Sequence, residues 1–382
     1  MQTMTRGRES SAVTVNLLVA FELGQHWWKV GFTTGMGQRT RTRRIAGGDV
    51  QAVQAEMARA KVRFGLPADA RVISCYEAGR DGFWLHRYLT AQGVTNHVVD
   101  SASIEVNRRA RRSKTDQLDL AGLLNLLARY VAGDRRCWRV VRVPSAADED
   151  ARQLHRTLET LQADRTRVIN RLKAVLATLG VRMPITADFL AQVATMRLWD
   201  DTAIPPGARD RLHRDWQQLH GIAAQIKELR ATRTALPVDG QTPTGRYVRG
   251  LQRVRAIGPT GAWVLATEIF GWREIRNARE LGALVGLVPA RYQSGERQRD
   301  LGISRAGNAH VRRVMVQLAW GWLRYQPTSA LSHWYQQRFG RGGPRLRRIG
   351  IVALARKLLI ALWRYVDAGV VPEGAHLKPA TA

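Results

Sequence analysis

The chain has 382 residues, enough for two or three domains of ordinary size. Hydrophobic residues make up 45% and charged residues 24%, a globular composition, but 60 Lys and Arg stand against 31 Asp and Glu, a net charge of +29. That excess argues against a small-metabolite enzyme and for a polyanionic partner, nucleic acid first. The only cysteines, Cys75 and Cys137, exclude a disulfide framework and a cysteine zinc site, so a reducing cytoplasm is the expected setting. No signal-peptide core follows the N-terminal MQTMTRGRES. The longest apolar stretch, residues 349–366, is broken by Arg356, Lys357 and Arg364, so a soluble chain with no membrane span is expected.

The first 130 or so residues alternate strand and helix patterns. Residues 13–21 (VTVNLLVAF), 27–34 (WWKVGFTT) and 39–45 read as a three-strand meander. A helix over 50–64, a buried-type strand over 71–76 (RVISCY), a helix near 82–92, a strand over 94–99 and a helix over 116–131 follow. That order predicts an α/β domain, a mixed sheet with helices packed on it, in the order of ribonuclease-H-like nuclease domains.

The middle is helical. Leu154, Leu158, Leu161, Val168, Leu172 and Val175 recur at steps of four and three, with Arg165 breaking the series; Leu212, Trp216, Leu219, Ile222, Ile226 and Leu229 do the same. Two heptad-like helices joined through 184–206 predict an antiparallel coiled-coil hairpin, read as a dimerisation arm. Residues 237–246 (PVDGQTPTGR) read as a linker. Beyond it the pattern predicts a mainly α C-terminal domain, with a loop running through Gly302 and a helix-hairpin-helix-like turn at 255–261 (RAIGPTG). The domain boundaries so drawn are 12–135, 150–236 and 247–370, with a mobile tail over 371–382.

Four carboxylates stand out. Glu22 and Glu77 each end a strand (LLVAFE, RVISCYE), and the two strands can lie adjacent and parallel. Asp116 and Asp119, three apart at a helix start, share one side. An oxygen-only set of this kind suits Mg²⁺ or Mn²⁺ and phosphoryl transfer. The run Arg108, Arg109, Arg111, Arg112 and Lys114 leads into the aspartate pair, where DNA phosphates would lie.

The segments YEAGRDGFWLHRYL, SKTDQLD, RAIGPTGAWVLATEI and GALVGLVPARYQSGERQRDLGISRAGNAHVRRVMVQLAW together resemble the IS-one-ten family of insertion-sequence transposases, relatives of the Piv DNA invertase. The resemblance implies a RuvC-like domain with an acidic tetrad, a coiled-coil arm, a C-terminal transposase domain with a catalytic serine, and a recombinase guided by a bridge RNA. Carried over by position, the metal ligands are Glu77, Asp116 and Asp119, and the nucleophile is Ser294 within Tyr292-Gln293-Ser294-Gly295. The first family aspartate follows a Gly-Ile pair; this chain has Ala20-Phe21-Glu22, a departure with a longer arm. Ser304 is the rival serine and reads as a helix cap or a phosphate-contact residue, and Arg305, Arg312 and Arg313 read as phosphate contacts. The expected protein is therefore a DNA transposase acting as a homodimer or homotetramer. The alternatives are a RuvC-like nuclease without serine chemistry and a catalytically decayed nucleic-acid-binding protein.

Overall fold

The computed structural model describes residues 15–104, 116–235, 242–294 and 297–379, and for 102, 116–119, 291–294 and 297–301 the backbone alone. The basic run of residues 108–114 lies outside this set. The chain divides into two compact units, residues 1–143 and 144–382. Among the described residues no helix is long and apolar enough to cross a membrane.

In the first unit β1 (Leu17–Leu23), β2 (Trp27–Thr33) and β3 (Arg41–Ala46) form the expected antiparallel meander. Helix α1 (Val50–Arg63) starts where the Asp49 side chain accepts the Ala52 N–H. Strand β4 (Val72–Glu77), helix α2 (Trp84–Ala91), strand β5 (Thr95–Val99) and helix α3 (Asp116–Val131) follow. The sheet order is β3-β2-β1-β4-β5, with β4 and β5 parallel to β1. Both sheet faces are covered. Leu17, Val19 and Phe21 pack with Val53 and Met57 of α1 and Leu85 and Leu89 of α2. Leu18 and Ala20 pack with Leu120, Leu123, Leu124 and Leu127 of α3 on the other face. Cys75 and Cys137, both buried and unbridged, belong to that second core.

The second unit begins with α4 (Ala146–Thr178), whose start is a capping box between Ser145 and Asp148. After α5 (Phe189–Thr195), α6 (Pro206–Ala235) packs back on α4 through Leu158, Leu172, Leu212, Trp216, Ile222 and Ile226. Arg171 of α4 donates to Asp215 (2.9 Å) of α6, and Phe189 stacks on Trp216. Helices α7 (Pro243–Arg253), α8 (Pro259–Leu265), α9 (Ala278–Val285), α10 (Ala309–Tyr325), α11 (Ala330–Tyr335) and α12 (Pro344–Ala368) make a second, larger core around Leu265, Leu281, Met315, Trp322 and Leu358.

Three features depart from the sequence pattern. The expected loop through Gly302 is a β-ribbon, β6 (Pro289–Ser294) paired antiparallel with β7 (Arg297–Ile303). Its sequence has no apolar alternation, and main-chain pairing does not need one. The early part of α4 is not a free arm: His155 and Arg156 bond to Glu268, within the same unit. The tail expected to be mobile is docked over 371–379. Leu377 bridges Val254, the Lys378 N–H donates to the Arg253 carbonyl, and the Lys378 ammonium donates to the carbonyls of Gln252 and Ile257, beside the turn at 255–261.

Gly31 of β2 pairs with Ala20 of β1, and a Cβ built there would meet Leu124 Cδ1 at 2.6 Å and Leu120 Cγ at 3.2 Å. Helix α3 thus rests on a glycine. Gly31→Ala should push α3 off the sheet and lower stability by about 1–2 kcal/mol in urea denaturation. An unchanged midpoint would show that α3 adjusts freely.

Candidate functional site

The acidic residues of the first unit are positioned by strand alternation. Phe21 of β1 is level with Tyr76 of β4, and both side chains enter the core shared with α1 and α2. Glu22 and Glu77 are the next residues on these parallel strands. Alternation puts them on the opposite face, the one that carries Ala20, Cys75 and α3. Glu22 is half-buried and Glu77 exposed. Burial, with the nearby Glu77 charge, pushes the Cys75 thiol far above its ordinary range. Helix α3 begins at Asp116, one turn before Leu120, the residue that lies over Gly31. Asp119 is one turn before Leu123 in the same core. The backbone thus brings the start of α3 to the sheet face that carries Glu22 and Glu77. The donor set is oxygen only, which fits a hard divalent cation. Among the residues with described side chains no three His, Cys, Asp or Glu converge on a metal position; Asp116 and Asp119 are outside that set. Lys29 is directly opposite Glu22 across the β1–β2 ladder, a cation that the sequence reading missed. The signal for it was the meander register.

The candidate serine belongs to the second unit. Ser294 is the last residue of β6 and pairs with Arg297; Tyr292 pairs with Arg299. Opposed residues share a face of an antiparallel ribbon, so Tyr292, Ser294, Arg297 and Arg299 fall on one face. The two arginines were missed because the segment reads as loop.

The ribbon's feet are tied together. The Ser304 N–H donates to the Val288 carbonyl (2.9 Å), that of Arg305 to Gly286 (3.2 Å) and that of Asn308 to Leu284 (2.8 Å). Gly307 has φ +101°, and a Cβ there would lie 2.3 Å from the Leu284 carbonyl oxygen, so only glycine fits. The Gly-Leu-Val-Pro and Arg-Ala-Gly-Asn segments, nineteen residues apart, are thereby one structural unit.

One expectation for this region is corrected. Ser304 caps no helix; the cap of α10 is Asn308, which accepts the Val311 N–H. Arg312 donates to the Val285 carbonyl at the end of α9 (2.9 Å), and Arg313 pairs with Glu159 of α4, which His310 also contacts. Of the three expected phosphate contacts, Arg305 alone is exposed with no carboxylate partner among the described residues.

Glu268 was not singled out, yet it is a buried carboxylate that accepts four hydrogen bonds. It sits in a π-helical turn, Ala266–Phe270, that continues α8. Fully buried, it accepts from His155 Nε2 (2.8 Å), from Arg156 Nε (2.8 Å) and Nη2 (3.0 Å), and from Asn308 Nδ2 (2.7 Å). Burial alone would raise its pKa; these bonds together hold it far below the ordinary carboxylate range. Through Asn308 it fixes the foot of the β6–β7 ribbon.

Comparison with known proteins finds two family matches along the chain. A model of the transposase IS116/IS110/IS902 family matches residues 248–336, and a DEDD transposase model of the IS110 type matches residues 30–180. The putative transposase y4rJ of Sinorhizobium fredii is 36% identical over 391 residues, covering 98% of each chain. A probable family 20 transposase of Pseudomonas aeruginosa is 28% identical over 239 residues, 61% of this chain and 68% of its own. The transposase for insertion sequence element IS1111A of Coxiella burnetii is 23% identical over 285 residues, 73% of each chain. The mixed five-stranded sheet is consistent with a RuvC-like DEDD domain, a class of metal-dependent enzyme that acts on DNA. The chain belongs to the IS116/IS110/IS902 family of transposases.

Glu268→Gln removes the charge that His155 and Arg156 surround. It should lower stability by about 3 kcal/mol near neutral pH. Because the folded pKa is depressed, the carboxylate's contribution is full above the ordinary glutamate range and is lost as pH falls below it. The gap between wild type and variant should therefore close in acid. A constant gap across that range, in denaturation followed at several pH values, would refute the charge-based account.

Proposed function

We propose that this transposase is a site-specific DNA recombinase that cleaves and rejoins strands through a bond between Ser294 and a DNA phosphate. Glu22, Glu77, Asp116 and Asp119 hold Mg²⁺ or Mn²⁺. The bound ion would supply Lewis-acid polarisation of the phosphate and favour the ionised serine hydroxyl. The observation that carries this reading is the level placement of Glu22 and Glu77 on adjacent parallel strands, on the face to which α3 brings Asp116 and Asp119.

In the cleavage step Ser294 Oγ bonds to phosphorus and the bond from phosphorus to a sugar oxygen breaks. The serine proton passes to a carboxylate, and the departing oxygen takes one from water. The phosphoserine link keeps the bond energy for rejoining to a second strand. Arg297, across the ribbon from Ser294, and Arg305, at its foot, are cations suited to the phosphate on either side. The run Arg108, Arg109, Arg111, Arg112 and Lys114, just before α3 in the chain, supplies further phosphate contacts.

The carboxylates and Ser294 belong to separate compact units. We read the site as composite, with Ser294 of one protomer meeting the carboxylates of another in a dimer or tetramer assembled through α4 and α6. Such a site ties cleavage to assembly. Target choice is assigned to an RNA encoded by the mobile element, on family resemblance alone. A second reading, in which water attacks and Ser294 has no covalent role, is favoured by the DEDD match itself.

Asp116→Asn should abolish strand cleavage, at least a hundredfold, while DNA affinity in a gel-shift assay changes less than threefold. Equal loss of binding would make Asp116 a structural residue. Mixing Ser294→Ala chains with Asp116→Asn chains, each inactive alone, should restore partial cleavage, with DNA attached covalently only to the chain that keeps Ser294. Recovery without any adduct supports the hydrolytic reading, and an adduct at Ser304 moves the nucleophile to that residue.

A further inference from the structure

A groove of about 1370 Å³ runs along the foot of the β6–β7 ribbon, between Pro289 and Ile303 on one side and α11–α12 on the other. This exceeds the roughly 300–1,000 Å³ of small-molecule pockets. Six cations line it: Arg305, Arg338, Arg345, Arg348, Arg356 and Lys357; no carboxylate does. None of the six forms an ion pair among the described residues. Between them the floor is apolar. Trp334, Phe339 and Ile349 lie in it, and Ile349 is 52% exposed. A second π-helical turn, Gln336–Gly340, carries Arg338 and Phe339 into the groove, and Gly350 of α12 leaves the space for Phe339. Lys357 Nζ lies 4.8 Å over the Trp334 ring.

We propose that this groove binds an unpaired segment of single-stranded DNA. A wall of unpaired cations selects a polyanion, which argues against a second copy of this +29 chain as the occupant. An apolar, aromatic floor is of no use to a duplex, whose bases are stacked inward. Unpaired bases present faces that stack on aromatic rings while arginines track the phosphates. When a base takes the Trp334 face, the Lys357 ammonium moves aside to a phosphate. The ribbon wall places this strand beside the segment that carries Ser294, and Arg305 serves both. The proposal rests on the family's action on DNA and requires no chemistry of Ser294.

The test is fluorescence anisotropy on the full chain with four 12-nucleotide probes: a single DNA strand, a matching strand of abasic sites with the same charge, the DNA duplex, and the RNA strand. The base-bearing DNA strand should bind about tenfold more tightly than the abasic strand. Ile349→Ser, a surface change, should erase that preference and leave abasic affinity unchanged. Arg345→Ala with Arg348→Ala should weaken both single strands about tenfold and flatten the salt dependence, whereas Arg211→Ala with Arg214→Ala on α6 should weaken them less than twofold. Equal binding of base-bearing and abasic strands by the wild type overturns the proposal. So does an undiminished preference in Ile349→Ser, or RNA or duplex affinity that Ile349→Ser lowers as much as it lowers that for single-stranded DNA. Ser294→Ala should bind all four probes as wild type does, so failure of the covalent reading stays distinct from failure of this one.

Discussion

Glu268 is the charge on which the second unit is organised. A carboxylate with no solvent contact is costly unless every lone pair is used. Here His155 and Arg156 come from α4, Asn308 from the cap of α10, and the π-helical turn after α8 aims the acid at all three. One residue thus joins the long helix, the C-terminal core and the loop at the base of the ribbon. Asn308 has a double role. Its oxygen caps α10 while its amide donates to Glu268, so the loop from Ser304 to Asn308 is held at both levels. The ribbon with Ser294 stands on a foundation that is polar and directional rather than merely apolar.

The first unit depends on a different constraint, strand register. Because side chains alternate along β1 and β4, burying Phe21 and Tyr76 on one face leaves Glu22 and Glu77 on the other. A one-residue slip in either strand would separate the two acids. The hydrophobic cores on both faces of the sheet hold that register, and the α3 core holds the aspartate-bearing helix against the same face. The placement of these acids is here a by-product of packing on two sides.

Charge is distributed unevenly between these tasks. Some carboxylates are ion-pair partners within a unit, as Glu56, Asp215 and Glu268 are. The 60 Lys and Arg exceed the 31 Asp and Glu by 29. Some are nonetheless structural: Arg312 closes α9 and Arg313 pairs with Glu159.

The sequence alone determined the kind of partner, the order of strands and helices in the first unit, and the two long helices. These follow from net charge and from periodicity, which are properties of neighbours in the chain. The β6–β7 ribbon was illegible because its main-chain ladder needs no apolar alternation. Glu268 was illegible because its partners lie 112 and 113 residues before it and 40 after it. The docked tail was illegible for the same reason, since Leu377 and Lys378 are held by residues more than a hundred positions away. Lys29 opposite Glu22, and the groove beside the ribbon, exist only once strands pair and helices pack. Tertiary structure decided where charges meet, because electrostatic pairing depends on distance in space, and local sequence patterns carry only distance along the chain.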